Sequence, residues 1–304
     1  MTRSGQFYLF GLIIVIGSIL WGSYEKAVDI SMEKQFLPKS IIGSEKPIRF
    51  FGVVSRYTPR EIYEGYQPIM DFLTKNTPYK FVLKLSDTYT GTAKQLGDGK
   101  IAVASLGSFV YVKYKEQYDL EVILKPLNRQ GNGYYHSMFI ALKNSPISSL
   151  SDLKNRSIVF PSRESLTGQW MPNYIFSNAG VSLVDLKKFN YSSHHTTVAD
   201  KVLSGEYDAG VVKEAVVEIY KDHGLKIFHI APKRTTIPLV VSKHTDQKTR
   251  QSIMDAFLSI DVEKPETISL LEFWDKELSY GFEKADDSEY ELTRGIISQI
   301  KNNN

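Results

Sequence analysis

The chain has 304 residues, 42% of them hydrophobic and 23% charged, which is material for a sizeable core and, by length, about two domains. The formal net charge of +3 comes without a long basic tract, which disfavours nucleic acid as a partner but leaves room for a locally positive site that takes a small anion. Cysteine is absent, which excludes disulfides, thiolate metal sites, cysteine nucleophiles and the lipid-bearing cysteine of a bacterial lipoprotein.

The first predicted element is apolar. No charged residue occurs from Ser4 to Tyr24, and Phe7–Trp21 reads FYLFGLIIVIGSILW. A membrane-spanning helix needs roughly 20 such residues, and Arg3 ahead of the run places the N-terminus on the cytoplasmic side. A cleaved signal peptide needs small residues at its cut site. Trp21-Gly22-Ser23 and Glu25-Lys26-Ala27 both serve that purpose poorly. Residues 1–24 are therefore read as a signal anchor in preference to a signal peptide, held in the inner membrane through residues 7–22. Either reading delivers residue 30 onward to the periplasm or its extracytoplasmic equivalent. Residues 25–46 read as a tether.

From Ile48 the pattern changes to alternating strands and helices. Ile48–Val54 (IRFFGVV) is a continuous apolar run, as in a strand buried on both faces. Thr58-Pro59 is a helix start, followed by Ile62, Tyr66, Ile69, Met70 and Leu73 at helical spacing. Strands are expected at Lys80–Leu85 and Ile101–Ser105, with helices around Gly91–Leu96 and from Ser108. The order restarts with strands at Ile158–Phe160, Lys188–Tyr191, Tyr207–Val212 and Lys226–Ile230. Helices at Gly168–Asn178, Thr196–Leu203 and Glu214–Tyr220 separate them. Pro238–Ser242 reads as a strand, and 246–259, 264–278 and 287–301 read as helices. The fold class is α/β with mostly parallel sheets. Two crossings, near His136–Lys143 and Ala231–Pro238, divide the chain into lobe 1 (47–138 and 236–304) and lobe 2 (139–235), with a hinged cleft between them.

Several segments, in order, resemble the substrate-binding subunits of phosphonate ABC transporters. They are Ala102–Tyr111 (AVASLGSFVY), Tyr135-His136-Ser137, Ser149–Phe160 (SLSDLKNRSIVF), Phe160–Pro172 (FPSRESLTGQWMP), Tyr191–His195 (YSSHH) and Gly205–Val211 (GEYDAGV). The resemblance runs from about residue 47 to 260 and implies a two-lobed periplasmic-binding-protein fold with two hinge crossings, preceded here by the N-terminal transmembrane or signal helix. It also implies a phosphonate or related phosphorus oxyanion as ligand. Two departures are visible: Leu166 stands where the family has a second hydroxyl residue, and Ser162-Arg163 stands where it has Asp-Pro.

The candidate ligand-binding residues follow. Ser165, Thr167 and Gly168 open a helix after a strand, where free amides, the helix dipole and two hydroxyls suit an oxyanion; the plain alternative is a helix cap. The resemblance adds His194, matched to the family's ligand-contacting histidine, with His195 where an acidic residue is common. By position it also adds Tyr57, Tyr89 and Tyr111, whose phenols can line a cleft. Asp208 matches a family aspartate, suited to a ligand amine or to a structural role. Lys213 and Glu214 follow a strand, and the sequence does not decide between them.

Adjacent histidines are poor metal ligands, so no metal is expected. No catalytic residue and no cofactor is expected either. The chain lacks the G-x-S-x-G, Walker, H-E-x-x-H and dinucleotide motifs. The reading is thus a monomeric receptor, not an enzyme, that hands a small oxyanion to an ABC permease. A membrane-anchored sensor reporting to a kinase, and a receptor for a sulfonate or a thiamin-pyrimidine-like ligand, remain the alternatives.

Overall fold

A computed structural model of the chain describes residues 46–302. The expected anchor or signal segment and all of the tether except Lys46 lie outside them. Among the described residues, no helix is long and apolar enough to cross a membrane.

The first lobe opens with β1 (Ile48–Val53), α1 (Pro59–Asn76), β2 (Lys80–Leu85), α2 (Tyr89–Gly97), β3 (Val103–Ser105), α3 (Ser108–Tyr118) and β4 (Leu120–Pro126). Thr58 caps α1 with a complete capping box. Its side chain accepts from the Glu61 amide at 3.3 Å while its own amide donates to Glu61 Oε2 at 2.8 Å. The five apolar positions expected to face inward on α1 are its five buried residues, and they share a core with Phe51 and Val53 of β1.

The chain then passes through β5 (Tyr134–Tyr135) into the second lobe. That lobe contains β6 (Ser137–Leu142), β7 (Ser157–Phe160), a π-helical turn (Leu166–Trp170), α4 (Met171–Ala179), β8 (Lys188–Tyr191), α5 (His195–Leu203), β9 (Ala209–Lys213), α6 (Glu214–Tyr220) and β10 (Leu225–Ile230). It returns through β11 (Arg234–Thr235) to β12 (Leu239–Ser242), α7 (Gln247–Leu258), α8 (Pro265–Leu271), β13 (Phe282–Lys284) and α9 (Glu291–Asn302).

The lobe-1 sheet has the order β13-β4-β12-β3-β1-β2 and the lobe-2 sheet β10-β6-β9-β7-β8. The crossings pair with each other, Tyr135 opposite Arg234 and Tyr134 opposite Thr235. Both sheets are mixed, not mostly parallel. β1 is parallel to β2 and β3, but β12 runs antiparallel between β3 and β4, and β6 runs antiparallel to β9 and β10. Of the strands that reverse, β6 and β12 follow the crossings, where no crossover helix is needed to set a parallel direction, and β13 adds antiparallel to β4 at the sheet edge.

Three details differ from the expected boundaries. All of Ser137–Leu142 belongs to the second sheet, so the first crossing lies earlier, at Tyr134–His136. The helix expected over 264–278 stops at Leu271. Beyond it Trp274 and Leu278 enter the lobe-1 core, and the Asp275 amide bonds to Gly65 O of α1 at 3.0 Å. Finally, α9 straddles the lobes, with Ile297 in a lobe-1 cluster and Ile296 and Ile300 in the lobe-2 core.

The capping box predicts that Thr58→Ala lowers stability by about 1 kcal/mol. Urea unfolding should show a lower midpoint with an unchanged slope.

Candidate ligand-binding site

The corner between β1 and α1 carries Ser55-Arg56-Tyr57 to the gap between the lobes. Arg56 is only 2% exposed. Its guanidinium donates to Tyr66 Oη at 2.5 Å and Asp275 Oδ1 at 3.4 Å, and its Nε lies 3.3 Å from Glu277 Oε1. Tyr66 Oη in turn donates to Ser105 Oγ at 3.2 Å. The segment after α8 therefore brings two carboxylates into the site.

Glu277 is the point where the lobes meet. Tyr57 Oη donates to its Oε1 at 3.0 Å, and Lys213 Nζ, at the end of β9 in the other lobe, donates to its Oε2 at 2.7 Å. All of these charged groups are buried or nearly so, where unpaired ions are costly and paired ones interact strongly. Burial pushes Glu277 upward, but Lys213 and Arg56 outweigh it and hold the carboxyl at about 2, so it stays ionised. Burial raises Asp275 and lowers Lys213.

His195 opens α5 from the lobe-2 side and is 1% exposed. Its amide donates to Arg56 O at 3.0 Å, and its ring meets Tyr57 edge-on with centroids 6.5 Å apart. Burial first, then the field of Lys213, pushes the imidazole down to about 3, so it is neutral. Its Nδ1 has no hydrogen-bond partner, and neither do Arg56 Nε, Tyr89 Oη or Trp170 Nε1. Buried polar atoms are normally satisfied. His195 feels Lys213, Glu277 and Arg56, and Tyr89 feels Arg56, Glu277 and Glu164, so His195, Tyr89 and Arg56 share one polar core between the lobes.

Around this core the lobes are latched. His194 Nδ1 lies 3.2 Å from Ser55 O, and Thr196 Oγ1 donates to Glu61 Oε2 at 3.3 Å. Glu164 accepts from the Tyr89 amide at 3.3 Å and from the Thr90 hydroxyl. Phe109 stacks on Trp170 at 5.0 Å, and Leu166 packs among lobe-1 residues. A cavity of about 60 Å³ reaches Lys213, Glu277 and Tyr135 from the hinge side, beside Leu127, Thr236 and Tyr280.

The structure gathers some of the residues singled out from the sequence and separates others. Tyr57 and Tyr89 enter the polar core. Thr167 is fully buried and 2.9 Å from Ser137 Oγ, within hydrogen-bonding reach of Tyr135 as well. Ser165 acts as the cap: its Oγ accepts from the Gly168 amide at 2.9 Å, and its carbonyl accepts from the Gln169 amide at 3.3 Å. Ser165 thereby takes two amides of the expected cradle, those of Gly168 and Gln169. Gly168 answers to backbone crowding, since a Cβ there would sit 2.1 Å from Ser162 O. His194 lies at the lobe boundary, while its neighbour His195 points into the core.

Tyr111 lies elsewhere, donating to Asp287 at 2.6 Å and packing on Tyr290. Asp208 accepts from the Ser157 amide at 2.8 Å and hydroxyl at 2.7 Å, at the opposite end of β9 from Lys213. The sequence reading missed Arg56, Asp275 and Glu277, and it left Lys213 undecided. The one available signal was an arginine directly after an apolar strand, beside Tyr57. Among the described residues, no group of three His, Asp or Glu is placed to hold a metal ion.

Two α/β lobes on paired crossings, closed over buried cations, define a cleft-type solute-binding protein. The chain belongs to the family described as "ABC transporter, phosphonate, periplasmic substrate-binding protein", whose sequence model matches residues 51–290. It is 23% identical over 234 residues to the phosphonates-binding periplasmic protein of Escherichia coli K12, covering 73% of this chain and 68% of that one. It is 25% identical over 174 residues to a probable ABC transporter phosphite binding protein of Prochlorococcus marinus MIT 9301, covering 51% and 58%. The latter's structure with methylphosphonate superposes with a TM-score of 0.74 at 18% identity over 84% of this chain and 98% of that one. A binding component of a phosphonate transporter from Pseudomonas aeruginosa gives a TM-score of 0.73 at 21% identity over 83% and 86%.

The position of His195 sets a pH dependence. The unfolded imidazole binds its proton near pH 6.5, the folded one only near 3. Between those values unfolding takes up a proton, so folding stability falls as the pH is lowered, by about 1.4 kcal/mol per pH unit for this one group. His195→Gln should remove that share. Denaturant titrations of both proteins between pH 6 and pH 4 should therefore differ in slope by that amount.

Proposed function

We propose that this chain captures a phosphonate or related phosphorus oxyanion between its lobes, outside the cytoplasm, and delivers it to an ABC permease. Family membership supports the ligand class and the permease. The observation that carries the placement is the buried pair Arg56 and Lys213, one from each lobe, meeting beside unpartnered polar atoms of His195 and Tyr89. An oxyanion at that point gains charge-assisted hydrogen bonds from both lobes at once, which makes binding and closure a single event. Tyr57, hydrogen-bonded to Glu277, and Thr167, beside Ser137 and Tyr135, can add hydroxyl donors. The uncharged stretch from Ser4 to Tyr24 supports attachment to the inner membrane through residues 7–22.

Calorimetric titration of the detergent-solubilised full chain with methylphosphonate, phosphite and phosphate tests the reading. At least one should bind. Lys213→Met should weaken that ligand by about 10–150-fold, the equivalent of a charge-assisted bond of about 1.5–3 kcal/mol. Silence with all three oxyanions would end the proposal.

A further inference from the structure

The cations of the cleft are already matched by carboxylates. Glu277, which stays ionised, pairs with both Arg56 and Lys213, Arg56 also pairs with Asp275, and His195 is neutral. A doubly charged anion entering this buried core would add negative charge that its already paired cations compensate poorly, which burial makes costly. The two carboxylates are not equivalent. Asp275 is committed to other partners: its Oδ1 accepts from Arg56 at 3.4 Å and from the Glu277 amide at 2.9 Å. Glu277 spans the gap: its Oε1 accepts from Tyr57 and faces Arg56 Nε at 3.3 Å, while its Oε2 accepts from Lys213 and retains a lone pair. An ionised carboxylate only accepts hydrogen bonds. Beside it, a bare anionic oxygen is repelled, whereas a P–O–H group donates to it.

We propose that Glu277 is a specificity-determining residue that makes the cleft select an oxyanion still carrying a proton, a monoanionic phosphonate or phosphite, and reject fully ionised sulfonates of the same shape. This rests on the site proposed above. The other groups facing Glu277 are consistent with the assignment. Arg56, Lys213 and Tyr57 donate to it or pair with it, His195 presents a neutral ring, and Tyr66, Tyr89 and Tyr135 remain protonated phenols. Asp275 also faces it, but its Oδ1 is held by Arg56 and the Glu277 amide. The ligand's proton is drawn from solvent: above the second ionisation of the ligand, each binding event takes up one H⁺, which then lies between P–O and Glu277 Oε.

The test compares methylphosphonate with methanesulfonate by calorimetry from pH 6 to pH 9, using the full chain and the variants Glu277→Gln and Glu277→Asp. The wild type should bind methylphosphonate, with affinity falling by about tenfold per pH unit above that ionisation, and should bind methanesulfonate at least about 100-fold more weakly. Glu277→Gln replaces an acceptor oxygen with an N–H donor and should gain at least about tenfold for methanesulfonate. Glu277→Asp keeps the carboxylate and should keep the rejection, which guards against loosened folding as the cause of the gain. Proton uptake by His195 would produce a pH trend of the same sign. Methanesulfonate does not titrate in this range, so its binding to Glu277→Gln reads that contribution alone.

If the wild type binds methylphosphonate but Glu277→Gln gains nothing for methanesulfonate, or if the wild type takes both ligands equally, Glu277 is not the selector. If no protein binds either ligand at any pH, the site itself is misplaced and the inference falls with it.

Discussion

The arrangement turns on one ion-pair ladder, Arg56–Glu277–Lys213, built from three distant parts of the sequence and spanning both lobes. Arg56 comes from the first β-α corner, Glu277 from the segment after α8, and Lys213 from the end of β9. Side chains this buried are a strong constraint, because removing one partner from such a network costs about 3–5 kcal/mol by leaving a buried charge unmatched. The ladder therefore dictates where the C-terminal segment must run. That is why the chain leaves its helical path at Leu271, even though Pro265 to Leu278 would otherwise sustain a helical reading. Trp274 and Leu278 are buried in the same excursion, so the apolar core and the charged core hold the segment together.

The same ladder links closure to charge. Opening the hinge formed by the paired crossings separates Lys213 from Glu277 and breaks the contacts of His194 and His195 with the Ser55–Arg56 backbone. The exposed pair Arg129–Glu218, which also joins the lobes, contributes little beside these because water screens it. A ligand shifts the open–closed balance only by its differential affinity for the two states. Groups that touch a ligand from one lobe alone add affinity without closure, whereas groups that reach it from both lobes add both.

Local structure was largely legible in the sequence, and the charged site was not. The helix α1 could be read from its cap, its proline and five apolar positions because these signals act within a few residues. The β-α-β alternation gave the two lobes for the same reason. Sheet direction was misread because β12 and β6 follow crossings, and a strand's apolar pattern says nothing about the direction of its neighbour. Arg56, Asp275 and Glu277 were invisible because a buried charge looks like a surface charge until its partner, up to about 220 residues away, is known. Adjacent histidines were told apart only by geometry: the N-cap position turns His194 toward Ser55, and the first helical position turns His195 inward.

Leu166 bears on how the family site has been altered in this chain. In the resembling motif this position carries a hydroxyl, and here it carries a buried leucine that packs into lobe 1 beside Tyr89 and Phe109. Full burial of such a side chain stabilises by about 1.5–3 kcal/mol, the same range as the charge-assisted hydrogen bond it replaces. The hydroxyl would act only on a bound anion, whereas the leucine favours the closed state whether or not a ligand is present. The exchange moves part of the drive for closure from the ligand to the protein, and Trp170 stacked on Phe109 acts in the same direction. With closure assisted by apolar contact and the cations already matched by carboxylates, bulk negative charge is a weak criterion for this cleft. On the role proposed for Glu277, selectivity then rests on where the ligand carries its hydrogen-bond donors.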